Sequence, residues 1–152
     1  MVIREARPSD AAAMARLAGQ LGYPATPSEF ERRMAARSGS ARAVYVAQGE
    51  NDALIGWTEV AGIEMLIAEP YADLAALIVD EPRRGEGIGR RLVERALAWA
   101  HANGYAVLRV RSNVIRERAH RFYEDLGFER VKTQAVFARA TAPEMPGWPA
   151  RA

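Results

Sequence analysis

Arg83-Arg84-Gly85-Glu86-Gly87-Ile88-Gly89 sets three alternating glycines behind a pair of arginines. Glycine has no Cβ, so a turn of this kind bares its backbone N–H groups to whatever lies against it. Ile88, Leu92, Ala96, Leu97 and Ala100 then recur at helical spacing, which predicts a helix with one buried face. The first turn of such a helix adds unpaired N–H groups and the positive end of its dipole. These residues suit the binding of an anion, and a phosphorylated ligand is expected here. The element in front is a continuous apolar run, Leu74 to Val79, closed by Asp80, Glu81 and Pro82. It is too short for a globular helix and right for a strand buried on both faces.

Two common phosphate loops do not fit. A P-loop requires Gly-Lys-Ser or Gly-Lys-Thr, and here the glycines end in Gly89-Arg90-Arg91. The dinucleotide fingerprint G-x-G-x-x-G needs glycine at position 90 or 92, which are Arg90 and Leu92.

The chain has 152 residues, enough for one domain with a substantial core, and its 49% hydrophobic and 26% charged composition is that of a soluble globular protein. It has no charged-then-apolar leader and no apolar run of about 18 residues, so a cytoplasmic protein is expected, with no membrane association. Cysteine is absent and the two histidines are scattered, which removes disulfides, a cysteinyl intermediate and any metal-ligand spacing. Charge is uneven along the chain. Between Ala43 and Pro82 there are eight acidic residues and no basic one, whereas Arg83 to Arg121 holds ten arginines. That asymmetry suits an anionic ligand on the second half and a cationic amine near the middle. Aromatic interleaving is sparse and no nucleic-acid motif occurs, so nucleic acid is not an expected partner.

The elements that must position the glycine turn follow from pattern. Residues 2–6 read as a strand, and Ser9 or Asp10 caps a helix through 21 that buries Ala13, Met14, Leu17 and Leu21. Thr26-Pro27-Ser28-Glu29 opens a second helix running to about 37. Strands are expected at 43–48 and from 54, continuing patchily to 67. Behind the turn, Asn103-Gly104 ends the helix, and Val107, Leu108 and Val110 mark a parallel partner strand of a βαβ unit. A helix at 115–126 places Ala119, Phe122, Tyr123 and Leu126 on one face, and a hairpin is expected at 129–131 and 133–139. Residues 1–140 are expected to form a single domain, and 141–152 an irregular or disordered tail.

Arg84-x-x-Gly87-x-Gly89, with Leu77-x-Val79-x-x-Pro82 before it, resembles the pyrophosphate-binding motif of the GNAT superfamily of N-acetyltransferases. Ala119-x-x-Phe122-Tyr123-x-x-Leu126-Gly127-Phe128 resembles the second signature of the same superfamily. The resemblance implies an α/β (α+β) fold: a mixed central sheet of about six to seven strands, splayed between two parallel strands and flanked by about four helices. It also implies acetyl-CoA as acyl donor and direct attack by a primary amine of a small molecule or peptide in a ternary complex. A non-catalytic CoA-binding module, or an enzyme using another acyl-CoA, is the alternative. In this family the pantetheine arm would pair with the backbone of Leu77, Ile78 and Val79. The diphosphate would rest on Arg84, Gly85, Glu86, Gly87, Ile88, Gly89 and Arg90. A free N–H at a kink near Leu77 or Ile78 would stabilise the oxyanion, and Tyr123 would protonate the departing thiolate. Glu64 is the candidate general base, with Glu59, Glu69 and Asp73 as rivals. The family often carries an asparagine where this chain has Arg116, so Asn113 is the candidate for that CoA contact. Dimers are common in the family, and a homodimer is within expectation.

Overall fold

A computed structural model describes residues 1–36 and 41–142. They gather into two compact units, Met1–Arg111 and Ser112–Ala152, which are described separately. The first unit holds one five-stranded sheet in chain order: β1 (Val2–Glu5), β2 (Arg42–Gln48), β3 (Leu54–Met65), β4 (Ala68–Val79) and β5 (Leu108–Val110). The first three junctions are antiparallel, and β4 pairs β5 in parallel. Helices α1 (Ala11–Gln20), α2 (Pro27–Ala35) and α3 (Ile88–Ala102) belong to this unit, and α4 (Glu117–Asp125) to the second.

Strand alternation decides which helix covers which residues. Val44, Val46, Leu54, Trp57 and Ile78 form one cluster with Met14, Leu17 and Ala18 of α1, against which Phe30 and Met34 of α2 also pack. Trp57 anchors it: the indole N–H donates to the Met14 carbonyl at 3.2 Å, and the ring meets Phe30 edge-on at 5.8 Å. On the other face α3 lies against β3 and β4 through Ile88, Leu92, Val93, Ala96 and Ala100. A Cβ on Gly56 would touch Ile88 and Leu92 at 3.2 Å, so a glycine lets helix and sheet approach this closely.

Helix starts follow their local chemistry. Thr26 and Glu29 exchange hydrogen bonds as a capping box, with proline directly after the cap. Asp10 precedes α1 but does not cap it with its side chain. Its carboxylate accepts the Arg7 N–H at 2.7 Å and hydrogen bonds from Arg4 Nη1 and Nη2 at 2.8 and 2.9 Å. In α3 the expected Leu97 is exposed, and Val93 is buried in its place.

Among the described residues the sheet has five strands rather than six or seven. The expected hairpin at 129–131 and 133–139 forms no strand, and Val131, Val136 and Phe137 are exposed. An alternating pattern says which face a strand would bury, but a strand exists only where another backbone pairs with it, and none pairs here. The expected loop at 38–40 and most of the tail lie outside the described residues.

Candidate active site

The parallel pair is short. Ala72, Asp73 and Leu74 of β4 meet Leu108, Arg109 and Val110, and there β5 ends while β4 continues to Val79. The register with β3 slips at the same point: Val60 faces Leu74 and Glu59 faces Ala76, which leaves Ala75 as an extra, bulged residue. The irregularity thus falls at Ala75, two residues before the Leu77 expected from sequence.

Beyond the bulge, backbone polarity can be assigned. Asp80 N–H donates to Ile55 O on β3, so Ile78 and Ala76 also turn their polar groups toward β3. Leu77 and Val79 therefore turn theirs to the side where β5 has stopped. The expected edge residues separate accordingly, with Leu77 and Val79 on the open side and Ile78 on the β3 side. Val79 O accepts the Arg84 Nε–H at 3.3 Å.

Residues 80–87 carry the chain from this edge into α3. Asp80 O accepts the Arg83 N–H and Glu81 O the Arg84 N–H, forming a single 3-10 turn over Glu81–Arg83. Gly85 (φ +88°) and Gly87 (φ +80°) are left-handed, and a Cβ on either would point into open space, so backbone torsion rather than crowding demands glycine. Gly87 is the N-cap of α3, whose first residues, Ile88, Gly89 and Arg90, have no intrahelical carbonyl for their N–H groups. The Arg83 guanidinium grips both Glu86 carboxylate oxygens at 2.8 Å. That hydrogen bonding holds the Glu86 carboxyl below its usual range, so it stays ionised and paired with Arg83. Arg84 and Arg90 are exposed.

The sheet face covered in part by α1 and α2 carries the carboxylates. Trp57, Glu59 and Ala61 of β3 share it with Tyr71, Asp73 and Ala76 of β4. Glu59 pairs with Arg42 at 2.7 Å, buried Asp73 with Arg111 at 3.0 Å, and the Arg109 guanidinium lies 4.2 Å over the Tyr71 ring. Glu64 is exposed and alternates to the opposite face, six residues along β3 from Thr58, the partner of Leu77. Six residues of extended strand span about 20 Å. Glu69 is exposed near the β3–β4 turn.

In the second unit Tyr123 sits in an aromatic cluster with Phe122 at 5.2 Å and Phe128 at 5.6 Å. Burial raises the phenol above its ordinary pKa, and the Arg116 charge offsets this in part. Asn113 is engaged locally: its Oδ1 accepts the Ile115 N–H, and its carbonyl meets His120 Nε2 at 2.9 Å. Arg130 can only donate to His120 Nδ1 at 2.8 Å, which leaves Nε2 as the ring N–H that faces the Asn113 carbonyl. Arg116 is the N-cap of α4. Among the described residues no acidic, histidine or cysteine cluster could hold a metal, and no helix is long and apolar enough to cross a membrane.

An open parallel strand pair leading through a glycine turn into a helix N-terminus is the architecture of the N-acetyltransferase class. The chain belongs to the GNAT acetyltransferase family, whose model, described as "Acetyltransferase (GNAT) family", matches residues 12–128. Aminoglycoside N(6')-acetyltransferase type 1 of Stenotrophomonas maltophilia is 29% identical over 149 residues, covering 93% of this chain and 94% of that relative. N-alpha-acetyltransferase RimI of Mycobacterium tuberculosis is 30% identical over 141 residues, covering 90% and 83%. The fold is also that of glucosamine-6-phosphate N-acetyltransferase from Arabidopsis thaliana, with a TM-score of 0.77 at 21% identity, covering 90% and 97% of the two chains. The protein is therefore an N-acetyltransferase, an enzyme that transfers acetyl groups to amines, and its family uses acetyl-CoA as cosubstrate.

Proposed function

We propose that residues 1–140 act as one catalytic domain that binds acetyl-CoA along the open edge of β4 and acetylates a cationic primary amine. The backbone groups of Leu77 and Val79 that face the open edge, with no strand opposite them and only the Val79 carbonyl met by Arg84, carry this reading. They offer an amide-bearing pantetheine arm the place of a missing strand. The N–H groups from Gly85 to Arg90 take the diphosphate, with the positive end of α3 behind them. In that position Arg84 gives up the Val79 carbonyl and turns to the phosphate.

The acceptor approaches on the Trp57–Glu59–Tyr71–Asp73 face. Its amine must be neutral to attack the thioester carbon, and we take Glu59, which lies opposite Ala76 and beside the bulge, as the group that accepts the proton directly or through a water. The carbonyl oxygen becomes an oxyanion, for which a backbone N–H at the bulge is the donor. The C–S bond then breaks and the thiolate takes a proton from Tyr123. Burial keeps that phenol protonated through neutral pH. Because the phenol is raised above ~10 and a thiol is near ~8.5, its larger contribution is the hydrogen bond it offers as charge builds on sulfur. Asn113 is proposed to contact the cofactor.

The test is kcat/KM with acetyl-CoA and a panel of aminoglycoside, polyamine and peptide amines. Glu59→Gln is expected to lower kcat/KM by about 10²–10⁴-fold. Glu64→Gln is expected to leave it unchanged. The reverse result would move the base to Glu64.

A further inference from the structure

We infer that Gln20, the last residue of α1, is a positioning residue for the diphosphate turn, an assignment that rests on the function proposed above. The two segments are sixty residues apart in sequence, yet one side-chain amide joins them by both of its ends. Gln20 Nε2 donates to Asp80 Oδ1 at 2.8 Å, and Gln20 Oε1 accepts the Glu81 N–H at 2.9 Å.

Asp80 is where the strand edge becomes the turn. Its N–H is spent on Ile55 O, its carbonyl accepts the Arg83 N–H, and its carboxylate lies 3.6 Å from Arg16 Nη1, one helical turn before Gln20. Arg16 Nη2 also reaches Leu54 O at 3.3 Å. The first two residues of the turn are thus held from four directions: β3, Arg83, Arg16 and Gln20. Without Gln20 the Glu81 N–H loses its partner: β3 and Arg16 still hold Asp80, but beyond it the geometry that presents Arg84 to Gly87 rests on the short 3-10 turn. A single 3-10 turn is a weak constraint. The amide does nothing chemical. It fixes where the phosphate-facing N–H groups start, and it ties them to the helix whose far side leads into the Gly22-Tyr23-Pro24 segment, capped on the Ala18 and Gly19 carbonyls.

A fault in the diphosphate cradle must be felt by acetyl-CoA and not by a donor that lacks the diphosphate. Gln20→Ala is expected to raise the KM for acetyl-CoA about tenfold, the size of one to two hydrogen bonds lost, with kcat within twofold. The KM for S-acetyl-pantetheine is expected to stay at its wild-type value. Gln20→Glu, which sets a carboxylate against Asp80, is expected to do the same or worse. The double change Gln20→Glu/Asp80→Asn exchanges donor and acceptor and is expected to recover most of the acetyl-CoA KM. Equal losses with both donors, or no rescue by the double variant at wild-type Tm, would overturn the assignment. A wild-type enzyme that used both donors with equal KM would instead remove the diphosphate site itself, and with it the proposed mode of cofactor binding.

Discussion

Gly87→Asp and Gly87→Asn together separate the geometry of the turn from its electrostatics. Gly87 holds φ +80°, so any L side chain there carries left-handed strain of about 1–2 kcal/mol, and Asn and Asp bear it best. The two variants share that strain and nearly the same volume, and a Cβ at this position meets nothing within 4 Å. They differ by one negative charge at the N-cap of α3. Without ligand the aspartate is the more comfortable of the two, because it faces the positive end of the helix dipole. With a diphosphate in the turn the order inverts. Two like charges at about 4 Å repel by about 1 kcal/mol with full water screening and about 4 kcal/mol at an effective dielectric of 20. Gly87→Asp should therefore bind acetyl-CoA about 5- to 900-fold more weakly than Gly87→Asn, and the gap should narrow as salt is raised. Calorimetric titration of both variants and of wild type at two ionic strengths reads this directly. Equal affinities for Asn and Asp would refute the placement of the diphosphate at Gly87.

Other consequences follow from the first unit. A Cβ on Gly62 would lie 1.9 Å from Tyr105 Oη and 2.4 Å from Cζ, and Tyr105 stacks on Trp99 at 5.8 Å. Gly62→Ala must displace the whole ring and should cost about 1–3 kcal/mol by thermal denaturation, with part of it returned by the added change Tyr105→Phe. Asp10→Asn should cost about 2 kcal/mol at pH 7. The Arg4 hydrogen bond holds the Asp10 carboxyl below its ordinary 3.8, so its stabilisation is complete above that value and is lost as pH falls through the lowered one. The Tm gap between wild type and Asp10→Asn should therefore close below about pH 4, and a constant gap would show that packing, not charge, is lost. Arg111→Gln keeps a donor for Asp73 but removes the cation. It should lower KM about threefold for dicationic acceptors and leave monocationic ones unchanged.

How much of this was legible in the chain depends on whether the signal is local. The glycine turn, the apolar run before it and the helix after it are contiguous, and each constrains the next, so the βαβ unit can be read directly. The capping box at Thr26 and Glu29 is equally local. Leu97 and Val93 show the limit: both sit near the edge of the apolar stripe of α3, and only the sheet beneath decides which is covered. The bulge at Ala75 leaves no mark in a run of apolar residues, because it arises from the pairing of two strands. The choice between Glu59 and Glu64 is of the same kind. They differ by an odd number of positions on one strand, which puts them on opposite faces, and no composition argument distinguishes them. Gln20 could not have been found either, since its partners lie sixty residues away.

The acidic middle of the chain also changes meaning once folded. Between Ala43 and Pro82 there is no cation, which in sequence suggests a bare negative surface awaiting an amine. In the structure that stretch is mostly the three central strands, and three of its eight carboxylates are met by arginines from outside it: Glu59 by Arg42, Asp73 by Arg111 and Asp80 by Arg16. A cationic acceptor on this face therefore replaces a guanidinium rather than filling an empty site. Exchange at Asp73 is cheap because the Arg111 side chain is 80% exposed, and an ion pair with one solvated partner contributes little net energy. Exchange at Glu59 costs more, since Arg42 is less exposed and closer. The two carboxylates thus divide the work in the proposed reaction: Asp73 is the one free to hold a second ammonium of the acceptor, while Glu59 gives up its arginine only where the reacting amine has to lose its proton.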